Sequence, residues 1–258
     1  MSDAIPAATI ILLRDEPRFE TLMVARHANI AFAGGAMVFP GGRIDAGDHA
    51  PGWKDHCNGA EGVPEDQLAP RIAAIREAFE ETGLLLARRG GRMIGAEAAA
   101  LGSWRKRVED NDALFLEMIK GEGLRLALDE LHFFARWRPG SEVPHRRYDT
   151  WFFAARAPEA QIAEEDGGEA TEVVWAPPSA LLADRDAGRR KMIFPTSRNV
   201  ELLNVSPSAS EVFDFAARRR IDLIEPRIIE RNGNMFLTIP DDMGYPVTEE
   251  ILETAMRD

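Results

Sequence analysis

Glu77, Glu80 and Glu81 crowd three carboxylates onto barely more than one helical turn of the segment RIAAIREAFEETGLLLA, residues 71–87. At about 100° per residue they fall within roughly a 100° arc, with Ile72, Ile75 and Phe79 on nearly the opposite side. Each like-charge pair at i,i+3 or i,i+4 costs a helix on the order of 0.2–0.5 kcal/mol. The one nearby cation is Arg76, spaced to meet Glu80 one turn on. Taken alone, such a stripe also describes a solvated helix face. It becomes chemical if something else neutralises it. A hard divalent ion, Mg²⁺ or Mn²⁺, takes a few carboxylates, keeps some waters and bridges to a multiply charged oxygen ligand such as a diphosphate. It would also polarise P–O bonds and lower the pKa of a bound water.

Such a stripe needs a helix to carry it and a neighbour to receive the ion. The 3.6-residue spacing predicts an amphipathic helix over 71–87, its oily side on the core, its acids (Glu81 included) exposed, and Gly83 as its stop. Upstream, AMVFPGGRI (36–44) predicts a strand ending in a Pro-Gly-Gly turn, where Gly41 and Gly42 permit close approach of an ion or phosphate and leave a backbone carbonyl accessible. Ala73 and Ala74 beside the stripe would not obstruct it. Residues 45–70, rich in Gly, Pro and Asp, read as a long loop, and a loop of that length suggests function.

Around these, 7–14 and 19–26 read as a β-hairpin, and 96–120 as two helices. Segments 131–139 and 148–158 read as aromatic strands whose Phe133, Phe134, Trp137, Trp151, Phe152 and Phe153 alternate into the core. A shorter strand at 172–177 precedes a helix opened by Pro177 and Pro178. Helices over 195–204 and 208–220 follow, then a hairpin turning at Asn232-Gly233. With no repeat and no linker, this order predicts an α+β sandwich and one domain over 1–258, its core at about 7–205 and a helix-and-hairpin extension over 206–258.

A net charge of −12 argues against nucleic acid or an anionic membrane as a partner. It leaves room for an anionic small molecule whose charge is met locally by metal ions and a few arginines. The lone Cys57 fits a reducing compartment. The opening MSDAIPAATIILLRDE lacks a basic n-region, and no apolar run approaches a membrane span, so cytoplasm is the expectation. A homodimer is left open. His49, His56 and Cys57 do not share a usual zinc spacing, and an ordinary loop thiol is the preferred reading.

Gly42, Asp48 after five intervening residues, and Arg76-Glu77-Ala78-Phe79-Glu80-Glu81-Thr82-Gly83-Leu84 together resemble the Nudix hydrolase box. Asp48 stands where that family has Glu, Ala78 replaces a bulky aliphatic, and 27 residues (49–75) occupy a gap of seven. The animal coenzyme A diphosphatases of the family carry an insertion at this place. They also share the lead-in matched by Gly35 to Asp45, the run Arg146-Arg147-Tyr148-Asp149-Thr150, and Glu172 with Trp175.

The resemblance implies a Nudix α/β/α sandwich with a mixed sheet and additional inserted helices. It implies hydrolysis of a diphosphate in a nucleotide substrate, coenzyme A or acyl-CoA first. ADP-ribose, NADH, dinucleotides or nucleotide sugars are the enzymatic alternative, and a non-catalytic ligand sensor is the alternative of another class. Glu80 and Glu81 would be metal ligands, Glu77 a third ligand or the base, and Gly41 and Gly42 backbone neighbours of the ion. Arg76 would orient Glu80, and Asp48 would support the ligands from behind or join them. Arg26, Arg43, Arg146 and Arg147 would meet phosphate or base, though arginines at a strand edge also face water. A later acid could act as base, with Glu164, Glu165, Asp166, Glu169 and Glu172 all eligible.

Overall fold

The computed structural model describes residues 4–27, 33–140 and 147–255. In chain order its strands are β1 (Ile5–Arg14), β2 (Glu20–Arg26), β3 (Met37–Val38), β4 (Gly41–Arg43), β5 (Cys57–Asn58), β6 (Ala87–Arg89), β7 (Arg92–Met93) and β8 (Arg125–Ala127). There follow β9 (His132–Trp137), β10 (Tyr148–Arg156), β11 (Ala170–Ala176), β12 (Leu223–Ile224), β13 (Arg227–Arg231), β14 (Asn234–Thr238) and β15 (Glu249–Ile251). The helices are α1 (Glu65–Thr82), α2 (Arg105–Asp110), α3 (Ala113–Gly121), α4 (Pro178–Asp186), α5 (Phe194–Leu203), α6 (Ala209–Arg218) and the single turn α7 (Leu252–Ala255).

The main sheet runs β11-β2-β1-β10-β9-β12 and is mixed: β1 and β10 are parallel, β10 and β9 antiparallel. Alternation along β1 builds both of its faces. Ala8, Ile10 and Leu12 pack with Ile72, Ile75 and Phe79 of α1 and with Phe115 of α3. Ile11 and Leu13 point the other way, to Val200 of α5, Val212 of α6, and Leu237, Met243 and Tyr245 near the C-terminus. Helices therefore cover both faces in an α+β sandwich.

Between β2 and β1 the sheet forks. These strands pair only at Leu13–Thr21 and Arg14–Glu20. Beyond that, β3 pairs with β2 and β4 pairs with β1. The strand expected over 36–44 is thus two short strands with different partners. Pro40, which has no N–H to donate, marks the changeover and accepts from Ile10 N–H at 2.9 Å.

Other expectations need correction. The helix begins at Glu65 rather than 71 and continues through Pro70, which forfeits one i→i−4 bond near the N-terminus. Gly83 does end it, in the left-handed conformation at φ 75°. Residues 45–64 do not form an open loop. They contain 3-10 turns at Ala46–His49, Trp53–His56 and Ala60–Gly62, and β5 joins a small sheet of order β5-β8-β6-β7. Trp53 anchors the first two turns, donating Nε1–H to Gly47 O at 2.8 Å and lying 5.5 Å from the Phe115 ring. The segment 96–120 is a 3-10 stretch (Ala96–Trp104) followed by α2 and α3, three pieces rather than two. The hairpin of β13 and β14 turns where the dipeptide is, with Asn232 at φ 54° and Gly233 at φ 79°.

Candidate active site

The fork in the sheet opens into a cleft of about 1000 Å³. The buried end of α1 supplies Arg76, Glu77, Glu80 and Glu81, and β4 supplies Gly41, Gly42 and Arg43. Ala7 and Thr9 of β1, Thr150 and Phe152 of β10, and Trp137 of β9 form the floor, since Ala7 pairs with Thr150, Thr9 with Phe152 and Trp137 with Thr150.

The three glutamates are not solvent-facing. Glu77, Glu80 and Glu81 are 9%, 7% and 4% exposed, which overturns the outward-facing stripe. The cause is tertiary. β4 lies over the helix, so that Gly41 N–H donates to Glu81 Oε2 at 3.0 Å. On the other side Arg105 of α2 donates to Glu80 O at 3.0–3.1 Å. A Cβ on Gly42 would fall 2.6 Å from the Glu77 carboxylate, and one on Gly41 2.5 Å from Ala8 O. The glycine pair exists for close approach, not for a positive φ.

Arg76, 2% exposed, organises the acids. Its Nε and Nη2 donate to the two carboxylate oxygens of Asp48, each at 2.9 Å. Its Nη1 donates to Glu77 Oε1 at 2.9 Å and to Glu80 Oε1 at 3.1 Å, and Nη2 also reaches Arg43 O at 2.8 Å. Asp48 accepts from Asp45 N–H at 2.9 Å and is buried behind the cleft rather than lining it. It thus sits behind the glutamates and reaches them through Arg76.

One guanidinium does not balance four buried acids. Burial pushes the Glu80 carboxyl up to about 7 and the Glu81 carboxyl up to about 8, with Arg76 and Arg26 respectively only partly opposing it. Burial raises Glu77 well above the ordinary range too, reinforced by the charges of Glu80 and Glu81. Among the described residues that line the cleft, nine carboxylates face three guanidinium groups. Among the described residues no three acidic, His or Cys side chains form a ready-made metal cage. The donor set is hard oxygen, held close and short of positive charge. That fits a divalent cation which completes its shell with water and substrate oxygens.

Other expected residues separate. Arg26 lines the cleft, with Nη2 3.8 Å from Glu169 Oε2, and Arg43 lines it with a side chain 65% exposed. Arg147 immediately precedes β10 but does not line the cleft, and Arg146 lies outside the described residues. Of the downstream acids, Asp166 and Glu169 reach the cleft, while Glu164, Glu165 and Glu172 do not. Glu172 is engaged with Arg190 at 2.8 Å. Trp137 and Phe152, expected mostly as core, form part of the lining with Phe39 and Tyr148. Glu109, Asp110 and Asp112, from α2 and the turn after it, were not foreseen at all; nothing local distinguishes them from a solvated helix end. Cys57 is buried, its thiol pushed up to about 12 by burial, whereas His49 is exposed.

A mixed sheet between helical layers, with an REAFEETG helix end folded against a Pro-Gly-Gly corner, defines a Nudix hydrolase. The profile of the NUDT19 Nudix domain matches residues 54–194, and the chain belongs to that family. It is 30% identical to the chicken acyl-coenzyme A diphosphatase NUDT19, across 88% of this chain and 73% of the relative. The human protein of the same name is 26% identical, across 92% and 75%. Among solved structures, a Nudix hydrolase from Alicyclobacillus acidocaldarius superposes with a TM-score of 0.69 at 26% identity, covering 83% of this chain and 97% of that one. Among the described residues no helix is long and apolar enough to cross a membrane.

Proposed function

We propose that this chain hydrolyses the diphosphate linkage of coenzyme A or an acyl-CoA, giving 3′,5′-ADP and phosphopantetheine or its acyl ester. The observation that carries the chemistry is the gathering of Glu77, Glu80 and Glu81, buried, against Gly41 and Gly42 in one open cleft. The choice of substrate is supported by the names of the relatives.

In this reading Glu80 and Glu81 hold Mg²⁺ or Mn²⁺, with Glu77 completing the set. The ion, when bound, supplies charge neutralisation of the diphosphate and acidifies a coordinated water. The chain's own residues do the rest. Arg76, locked by Asp48, fixes the Glu77 and Glu80 carboxylates from behind. Exposed Arg43, with Arg26, meets the phosphate oxygens from the open side. Asp166 spends Oδ1 on the Gly168 and Ala170 N–H groups, at 2.7 and 3.0 Å, and so holds its own loop. We assign Glu169, on the same wall, to take the proton from the attacking water.

The test is a substrate panel of coenzyme A, acyl-CoA, NADH, ADP-ribose and nucleotide sugars with Mg²⁺ or Mn²⁺, followed by chelation. The expected result is preferential release of 3′,5′-ADP, abolished by chelator and restored by the ion. Equal rates across the panel would remove the coenzyme A assignment, and turnover without any divalent ion would remove the metal.

A further inference from the structure

The aromatic side of the cleft is tied to a part of the chain beyond the family match, which ends at residue 194. Trp137 Nε1–H donates to Tyr245 Oη at 3.2 Å, and the Tyr245 hydroxyl donates to Asn199 Oδ1 at 2.8 Å. The Tyr245 ring meets Trp137 edge-on, with centroids 5.6 Å apart and planes at 85°, while Phe194 holds another edge at 6.2 Å and 79°. Tyr245 is 5% exposed, and burial raises its phenol above the ordinary value, so it stays a neutral hydroxyl able to accept from the indole and donate to the amide. The indole's only polar atom is therefore anchored to the C-terminal segment.

Position gives this anchor a use. β4, which carries the glycine corner, pairs with β1, and β9 lies two strands beyond β1. At about 4.8 Å per strand, the three steps β4-β1-β10-β9 put Trp137 roughly 14 Å across the floor from that corner. A sugar and a flat base, extending from a diphosphate held at the corner, span that order of distance. Phe152 and Tyr148 continue the aromatic lining there.

We infer that Tyr245 is a positioning residue for substrate recognition: it fixes Trp137 as part of the wall that receives the base of the nucleotide half. This rests on the diphosphatase reading for the substrate's orientation, but its test does not require turnover. The ligands are 3′,5′-ADP, which carries the base, and phosphopantetheine, which does not, each titrated by calorimetry into the full chain with Mg²⁺. Tyr245→Phe keeps the ring and deletes the hydroxyl, Trp137→Phe shrinks the wall, and Leu237→Ala damages the same core while removing no member of the Trp137–Tyr245–Asn199 hydrogen bonds.

The expected result is that Tyr245→Phe and Trp137→Phe weaken 3′,5′-ADP about 3- to 10-fold, the scale of one aromatic contact. Phosphopantetheine binding should be unchanged in both. Leu237→Ala should lower Tm at unchanged affinity for either ligand. With coenzyme A as substrate, Tyr245→Phe should raise KM by the same factor and leave kcat within about twofold. The inference is overturned if Tyr245→Phe binds 3′,5′-ADP like wild type, if it loses both ligands equally, or if Leu237→Ala reproduces its binding defect. A chain that turns over no coenzyme A yet shows the selective loss of 3′,5′-ADP binding would retain the inference and sink the substrate assignment instead.

Discussion

Glu80 and Glu81 are pushed up towards neutral pH because they are buried beside too little positive charge. Their folded values of about 7 and 8 lie above the ordinary 4.5, so the folded state binds these protons more tightly than the unfolded chain does. Such groups favour folding at low pH, and that contribution is lost as pH climbs through their folded values. In chelator, Tm should therefore fall from about pH 4.5, the ordinary value, to about pH 8, the higher folded value, and added Mn²⁺ should flatten the slope by replacing the protons. Glu81→Gln should flatten it without metal, because the amide cannot ionise; a slope unchanged in that variant would contradict the electrostatics. In kinetics, Glu169→Gln should reduce kcat by about 10²-fold or more at nearly constant KM, the signature of a lost proton acceptor. The identity of the trio was legible from its spacing. Its burial was not, because the groups that cover it, Gly41–Arg43 and Arg105, lie far away in the chain.

The elements explain why so long an interval separates the two halves of the box. Residues 49–64 are the approach to α1 and a packing base built around Trp53 and β5, and residues 65–75 are the first turns of α1 itself. Gly47 O receives the Trp53 indole and Gly47 N–H meets Asp112, so the turn bearing Asp48 is clamped between the insertion and α3. Trp53→Ala should cost roughly 3–5 kcal/mol of stability in chemical denaturation, as expected for a buried aromatic. Gly42→Ala should behave oppositely. Its new Cβ would collide with the Glu77 carboxylate rather than with core, so Tm should move little while kcat/KM drops on the order of 10²-fold. A Gly42→Ala enzyme of normal activity would show that Glu77 needs no such close contact. Sequence periodicity recovered β1, β2, β9, β10 and the body of α1, whose patterns are long and regular. It missed the split at Pro40 and the 3-10 turns after Asp45, where partners rather than propensities decide the path.

At the scale of the whole molecule, charge and cleft point the same way. A chain of net charge −12 carries, among its described residues, nine carboxylates around a cleft whose proposed guest is a polyanion. The composition showed the sign of that field. It could not show that α2 and the turn after it bring Glu109, Asp110 and Asp112 to the same opening, because convergence is a property of the packed layers. Without divalent ions, this arrangement should repel nucleotide, and monovalent salt should reduce the repulsion, since charges more than about 10 Å apart are screened at 0.1 M. Affinity for 3′,5′-ADP in chelator should thus rise with KCl. With saturating Mg²⁺ a cation stands between the acids and the phosphates, so the salt would screen an attraction at the ion and should weaken binding. Titrations at several KCl concentrations, with and without Mg²⁺, would therefore give slopes of opposite sign. If salt weakens binding in both series, arginines such as Arg26 and Arg43 dominate the cleft, and the acids do not set its field.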